Sequence, residues 1–470
     1  MIYTWLVCLV MSTHFSYWKG ISLVTDTGWG DSGKGKIVDV GAQAADMVIR
    51  YNGGPNAGHT VHNSKGEFKL HLVSSGIFNP KALCLLAPTV FVDPIYLTQE
   101  IQSLRKQNIS ISSKNFMVAN SAHMIMPWHQ LQDTLSEAMR KKGKIGTTGR
   151  GIGPTARDRA SRTGLVVGDL LKNDLKKRFD EEFVQQERLA RLLADEMFIS
   201  DLNAKKYAAY DKKRILNLAK EANKNLSLSK TKIWSDLLEA RSVLRSLIGN
   251  TLEAIWKYRD DGKTILGEGA QGALLDLDLG GYPYVTSSNP GFAGFAKATG
   301  IHTVNNVIGV LKAYSTRVGE GPMVTELLDK TGKFLQEKGH EIGVTTGRVR
   351  RCGWLDVPAM KYGAMITGVT SLAMTKLDVL DELDEVKICT GYKVAGKTVK
   401  RLTTFDPEVI KTATPIYESL SGWQKDTTKV RVFSDLPKKA RAYVERVATL
   451  MDIPVEIVSV GPMRSATIYL

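Results

Sequence analysis

Several things are scarce in this chain of 470 residues. The four cysteines, Cys8, Cys84, Cys352 and Cys389, are scattered without CxxC spacing, which argues against a zinc module or disulfide framework and suits a reducing compartment. The apolar stretch Met1 to Met11 is far shorter than the ~20 residues of a membrane span. It also lacks the basic flank and small-residue cleavage site of a signal peptide. The first strand is expected only at Ile21, so residues 1–20 read as an extension outside the fold, with Met11 as an alternative start. Low-complexity tracts, internal repeats and true linkers are missing too, so 21–470 reads as one compact unit.

The net charge of +15 is the one bulk property that suggests nucleic acid. The Lys-rich stretch Asp201 to Ala240 holds nine Lys/Arg against five Asp/Glu, a small local excess. Its aromatic residues are not interleaved in an RNP-like pattern and no zinc-finger spacing occurs, so a solvated basic helical face is the better reading. A positive field also speeds the capture of anionic substrates such as phosphates and carboxylates.

What is present is an alternation of short β-rich runs and amphipathic stretches. It predicts an α/β fold with a large, mostly parallel central sheet flanked by helices. Expected strands are Ile21–Val24, Met47–Tyr51, Thr264–Gly267, Val307–Tyr314, Ser371–Thr375 and Val455–Ser459. Expected helices are Pro94–Lys106, Ala122–Lys141, Leu170–Ala194, Asp236–Arg259 and Pro437–Leu450, the last with Ser434 as its cap. Residues 169–261 are Lys-rich and poor in Gly and Pro, and read as an inserted helical subdomain.

The chemistry begins at Thr25-Asp-Thr-Gly-Trp-Gly-Asp-Ser-Gly-Lys-Gly-Lys36. Gly28, Gly33 and Lys34 meet the GxxxxGK spacing of a phosphate loop, in which backbone N–H groups and a helix N-terminus face phosphate oxygens. Gly35 stands where such loops carry a Mg²⁺-binding Ser or Thr. Asp31 inside the loop is then the candidate metal ligand, since Mg²⁺ takes one or two carboxylates plus phosphate oxygens.

Further glycine-rich motifs follow in order: Tyr51-Asn-Gly-Gly-Pro-Asn-Ala-Gly-His-Thr60, Gly146-Thr-Thr-Gly-Arg-Gly-Ile-Gly-Pro154, Gly267-Glu-Gly-Ala-Gln-Gly272, Tyr282-Pro-Tyr-Val-Thr-Ser-Ser-Asn289, Ala313-Tyr-Ser-Thr-Arg-Val-Gly319, Thr345-Thr-Gly-Arg348, Arg350-Arg-Cys-Gly-Trp-Leu-Asp356 and Thr375-Lys-Leu-Asp378. In this order, from about Val24 to the C-terminus, they resemble the adenylosuccinate synthetase family, GTP-dependent ligases that join L-aspartate to IMP in the cytoplasm through a 6-phosphoryl intermediate.

The resemblance implies roles. Asp31 would be the base and, with the Gly58 carbonyl, a Mg²⁺ ligand. His59 would be the general acid, with Lys34 and Gln271 completing the catalytic set. GTP would meet Gly30, Gly33, Lys34, Gly35, Gly58, His59 and Thr60, with Lys376, Asp378, Ser459, Gly461 and Pro462 in a guanine-binding part spanning about 370–470. IMP would meet Asp31, Asn56, Thr148, Gln271, Thr286 and, from a neighbouring subunit of a homodimer, Arg162. Thr345, Thr346, Arg348 and Arg350 would hold aspartate, two guanidiniums suiting a dicarboxylate. The sequence departs from the family at Gly28 (Gln there), Ser32 (Glu) and Met463 (Asp). These changes leave two alternatives open, a relative acting on dGMP and a catalytically impaired GTP-binding paralogue.

Overall fold

The computed structural model describes residues 17–140, 144–203, 229–343 and 348–470. Ten strands form the central sheet: β1 (Ile21–Asp26), β2 (Met47–Arg50), β3 (Leu83–Leu86), β4 (Phe116–Ala119), β5 (Ile248–Gly249), β6 (Ile265–Glu268), β7 (Asn306–Lys312), β8 (Ser371–Thr375), β9 (Val455–Ser459) and β10 (Thr467–Tyr469). Their spatial order is β10-β9-β8-β7-β1-β6-β2-β3-β4-β5. Every neighbouring pair is parallel except β9–β10.

A parallel sheet needs both faces covered, and its strands are apolar throughout for that reason. Leu23 and Val24 lie side by side in β1, both fully buried, and belong to cores on opposite faces. One core contains Ile37 and Val38 of helix α1 (Lys34–Ala42), and the other contains Ile255 and Phe295. A third core unites Leu372 and Met374 of β8 with a small second sheet built on Glu385–Val394. Among the described residues no helix is long and apolar enough to cross a membrane.

The expected strands Ser371–Thr375 and Val455–Ser459 and the helix Pro94–Lys106 match the observed elements. Other expectations need correction. Ala122–Lys141 shortens to Pro127–Met139, with Pro127 in its first turn, and Lys141 lies outside the described residues. Leu170–Ala194 starts later and runs Leu175–Asn203, after the 3₁₀ turn Val167–Leu171. Asp236–Arg259 is two helices, Lys230–Leu244 and Thr251–Asp260, separated by strand β5. Asn250 caps the second by accepting from the Glu253 N–H, a local bond that competes with a continuous helix. Within 169–261 the two-residue strand β5 joins the edge of the main sheet beside β4. Helix Lys438–Met451 begins after Pro437, and Ser434 sits in a preceding 3₁₀ turn without capping it.

The boundary at residue 20 also moves. Trp18 is 2% exposed, packs against Gly41 and donates its indole N–H to the Tyr469 hydroxyl at 3.3 Å. Tyr17 bonds Ser371 and Asn306. Both belong to the folded unit because an exposed indole at the start of β1 would leave its apolar surface in water.

Candidate active site

The candidate residues gather where doubly wound sheets bind ligands, at the carboxyl ends of the parallel strands. β1 ends at Asp26, which organises the phosphate loop. Its Oδ1 accepts from the N–H of Gly28 at 2.7 Å and of Gly30 at 3.3 Å, and its Oδ2 accepts from Lys34 Nζ at 3.0 Å. Gly33 turns the chain into α1 with φ 90°, a left-handed value open to glycine. Gly35 meets the next functional segment so closely that a Cβ there would lie 2.8 Å from His59 Cβ.

Asp31 is half-buried and itself left-handed, with φ 55°. Its Oδ2 accepts from Arg350 Nε at 2.7 Å. Burial pushes its carboxyl pKa up, but Arg350, then Lys312 and Lys34, outweigh that and hold it below the usual range. Of the neighbouring departures, Gly28 has a local explanation and nothing in the structure explains Ser32. The Met360 methyl fills the place beside Gly28, 2.8 Å from where a Cβ would sit. The Ser32 hydroxyl is buried and has no partner among the described residues.

His59 opens the strand His59–Asn63, and its Nδ1 lies 2.6 Å from Oε1 of Glu268, the last residue of β6. Burial lowers the His59 pKa despite that carboxylate. Burial also works to raise the Glu268 pKa, yet His59 and Arg50 hold it at about 2. Ser75 donates to Glu268 from both N–H and hydroxyl. Glu268 thus fixes the ring of His59, the part a general acid needs held. Sequence reasoning quoted Glu268 inside a motif without giving it a role; its signal was a lone acid ending an apolar strand.

Asn56, Gln271 and Thr286 come together. Gln271 Nε2 donates to Asn56 Oδ1 at 3.1 Å, and Asn56 Nδ2 donates to Thr286 Oγ1 at 3.4 Å. Thr148 lies on the loop beginning at Gly146, whose carbonyl accepts from Arg348 Nη2 at 3.0 Å. Thr345 and Thr346 lie outside the described residues. Arg162 is exposed at the left-handed end of helix Ile152–Ser161, away from this group of side chains in sequence and in contacts.

At the other end of the site, Lys376 is left-handed at φ 58° and donates to the Gly339 carbonyl and, at 2.8 Å, to Glu341. Asp378 carries a buried Oδ1 with no partner among the described residues, and burial raises its pKa. A buried acceptor left open costs free energy unless a ligand donates to it. Lys36 fastens α1 to the chain's last segment. Its Nζ donates to Ser459 Oγ at 2.6 Å and to the carbonyls of Gly461 and Ala466 at 2.7 Å each. Burial lowers its pKa to about 7. Arg464 grips Asp39 of α1 through Nε at 2.7 Å and Nη2 at 2.6 Å. Pro462 is exposed beside Gly461. Lys36 and Glu341 were both missed from sequence, because nothing in their spacing reveals contacts this remote.

Loop N–H groups at a helix N-terminus, an unpartnered buried carboxylate oxygen and a buried His–Glu pair on a doubly wound α/β frame are the parts that a nucleoside-triphosphate-dependent enzyme uses. A sequence profile described as adenylosuccinate synthetase matches residues 23–468. The chain belongs to the adenylosuccinate synthetase family. It is 43% identical over 452 residues to the adenylosuccinate synthetase of Halothermothrix orenii, covering 96% of this chain and 98% of that one. It is 42% identical over 446 residues to that of Carboxydothermus hydrogenoformans, covering 94% and 97%. Among solved structures, the fully ligated enzyme from Plasmodium falciparum superposes with a TM-score of 0.82 at 33% identity, covering 96% of this chain and all of that chain (100%). The succinoaminodeoxyadenylate synthetase of cyanophage S-2L, solved with dGMP and dATP, shares the fold at a TM-score of 0.56 and 15% identity, covering 96% and 95%.

Proposed function

We propose that this protein condenses IMP with L-aspartate, with GTP as phosphoryl donor, to give adenylosuccinate, GDP and phosphate. The observation that carries this reading is the placement of Asp31 within the phosphate loop and of His59 packed against it. Asp31 sits at its open side, and His59, oriented by Glu268, packs on Gly35. Asp31 takes the N1 proton of IMP, and O6 attacks the γ-phosphorus as the bond to the β-phosphate oxygen breaks. His59 donates a proton at the transferring group. A bound triphosphate raises its pKa by adding negative charge nearby, which offsets the effect of burial. The amino group of aspartate then attacks C6, loses a proton and displaces phosphate.

Lys34 and the loop N–H groups neutralise charge on the phosphates, the main task in phosphoryl transfer. Asn56, Gln271, Thr286 and Thr148 suit a neutral purine edge and a monophosphate, while Arg348 and Arg350 suit the dicarboxylate. Asp378 Oδ1 accepts from guanine N1–H and N2–H₂, and Lys376 covers the ring, with Ser459 and Gly461 as the facing wall. The donor set fits Mg²⁺: one accessible carboxylate, Asp31, and the Gly58 carbonyl, leaving room for phosphate oxygens. When bound, the ion draws charge from the phosphates. Arg162, exposed and without a side-chain partner among the described residues, serves the IMP phosphate of a second copy in a homodimer. A reducing cytoplasm suits the three described cysteines, all buried and free.

Steady-state assay of the purified protein with GTP, Mg²⁺ and aspartate, offering IMP or dGMP, tests the reading. Turnover of IMP with GDP release is expected. Preference for dGMP would overturn the substrate assignment, and no turnover of either would overturn the activity.

A further inference from the structure

Three cations converge on one carboxylate beneath the nucleotide site. Glu341 is fully buried. Its oxygens accept from Lys312 Nζ at 2.9 Å, Lys376 Nζ at 2.8 Å, Arg350 Nη1 at 2.8 Å and the Tyr314 hydroxyl. Two of these donors lead to different ends of the site. Lys376 lies two positions before Asp378 in the guanine element. Arg350 gives its remaining Nε to Asp31 of the phosphate loop at 2.7 Å. Lys312, at the end of β7, anchors the carboxylate to the sheet and also bonds Thr316 at 2.7 Å.

Desolvating four charges is costly, and a well-packed apolar cluster would stabilise the fold at least as well. The arrangement does something an apolar cluster cannot. It fixes one guanidinium and one ammonium, from separate elements, to a shared point. Among the described residues the three cations meet Glu341 directly, and Arg350 meets Asp31 as well.

We propose that Glu341 is a positioning residue that holds Lys376 and Arg350 in one register, so that guanine recognition and aspartate binding are energetically coupled. This rests on the assignment of those two residues to GTP and aspartate made above. Without the Glu341 charge, two cations lose their common anchor and repel each other across the gap. Both ligands then lose affinity together.

The test uses Glu341→Gln, which keeps the side-chain volume, in the intact enzyme. The preference for GDP over ADP, measured by calorimetry, is expected to fall at least about tenfold, and KM for aspartate to rise at least about tenfold. KM for IMP should stay within about threefold and kcat fall less than either. Glu341→Asp, which retains the charge, should recover most of both. Lys376→Met, at a partly exposed position, covers the case in which Glu341→Gln does not fold. It should raise KM for aspartate at least about fivefold without touching that ligand. A change in only one of the two ligands, or in neither, overturns the proposal. The calorimetric arm needs no turnover, so a wild-type enzyme inactive on IMP would overturn the proposed activity and leave this measurement intact.

Discussion

His59 Nδ1 and Glu268 Oε1 stand 2.6 Å apart, with His59 only 6% exposed and Glu268 fully buried. If His59 is the acid and Glu268 its orienting group, His59→Asn lowers kcat by about 10²-fold or more with a modest change in KM. Glu268→Gln, which leaves the ring in place but frees its tautomer, gives a smaller fall of about tenfold or more. Steady-state kinetics on both variants check this, and near-normal turnover would remove either residue from the mechanism.

The same pair makes a prediction for acid stability. The folded Glu268 pKa of about 2 lies below the ordinary 4.5, so its contribution is present above that ordinary value and is lost as pH falls toward 2. The full contribution is on the order of 3 kcal/mol. Urea unfolding from about pH 6 down to about pH 3 should show a clearly shallower acid loss in Glu268→Gln. Parallel curves would contradict the assignment.

Asp378 should set the choice of base. Its unpartnered Oδ1 matches a purine that donates at N1 and N2, and adenine instead presents an acceptor at N1. Asp378→Asn should therefore lose most of the preference for GTP over ATP, about two orders of magnitude in kcat/KM, since a site built to pair donors rejects analogues lacking them. Unchanged selectivity would show that another group reads the base.

Arg162 gives the dimer a clean test. An Arg162→Leu chain keeps its own Asp31, and an Asp31→Asn chain keeps its own Arg162. In a mixed two-fold dimer one of the two sites then has both wild-type residues. Random reassortment predicts recovery to roughly a quarter of wild-type activity. No recovery, with exchange of subunits confirmed, would mean that Arg162 serves its own site.

Trp18 marks where folding begins to matter. Trp18→Ala should cost about 3 kcal/mol or more, as deletion of a fully packed aromatic does. Removing residues 1–20 should cost at least as much, because it takes Tyr17 as well. A thermal melt unchanged by either would return the boundary to residue 20.

The sequence was legible where the signal was local. Ile21–Asp26 and Ser371–Thr375 are apolar on both faces, as buried parallel strands are. The glycine-rich loops named the phosphate site because positive φ leaves a mark on composition. What stayed hidden was long in range or short in length. Some short strands, Leu83–Leu86 and Ile248–Gly249 among them, carried too little pattern to separate from a helix segment. Glu341 looks like any surface acid in sequence, since its partners Lys312, Arg350 and Lys376 come from three other elements. Arg350 read as an aspartate ligand, and nothing in its motif announced that Asp31 and Glu341 already occupy two of its nitrogens.

The clasp between Lys36 and Ser459 joins positions 423 apart in the chain. Synthesis makes the phosphate loop long before the residues that pin α1. Strands β9 and β10 and Arg464 arrive together with Ser459. Contacts this remote form late because the entropy of closing so long a loop must be met first. A nascent or truncated chain ending before Val455 thus carries the glycines and lysines of the loop but lacks the contacts that hold α1 in place.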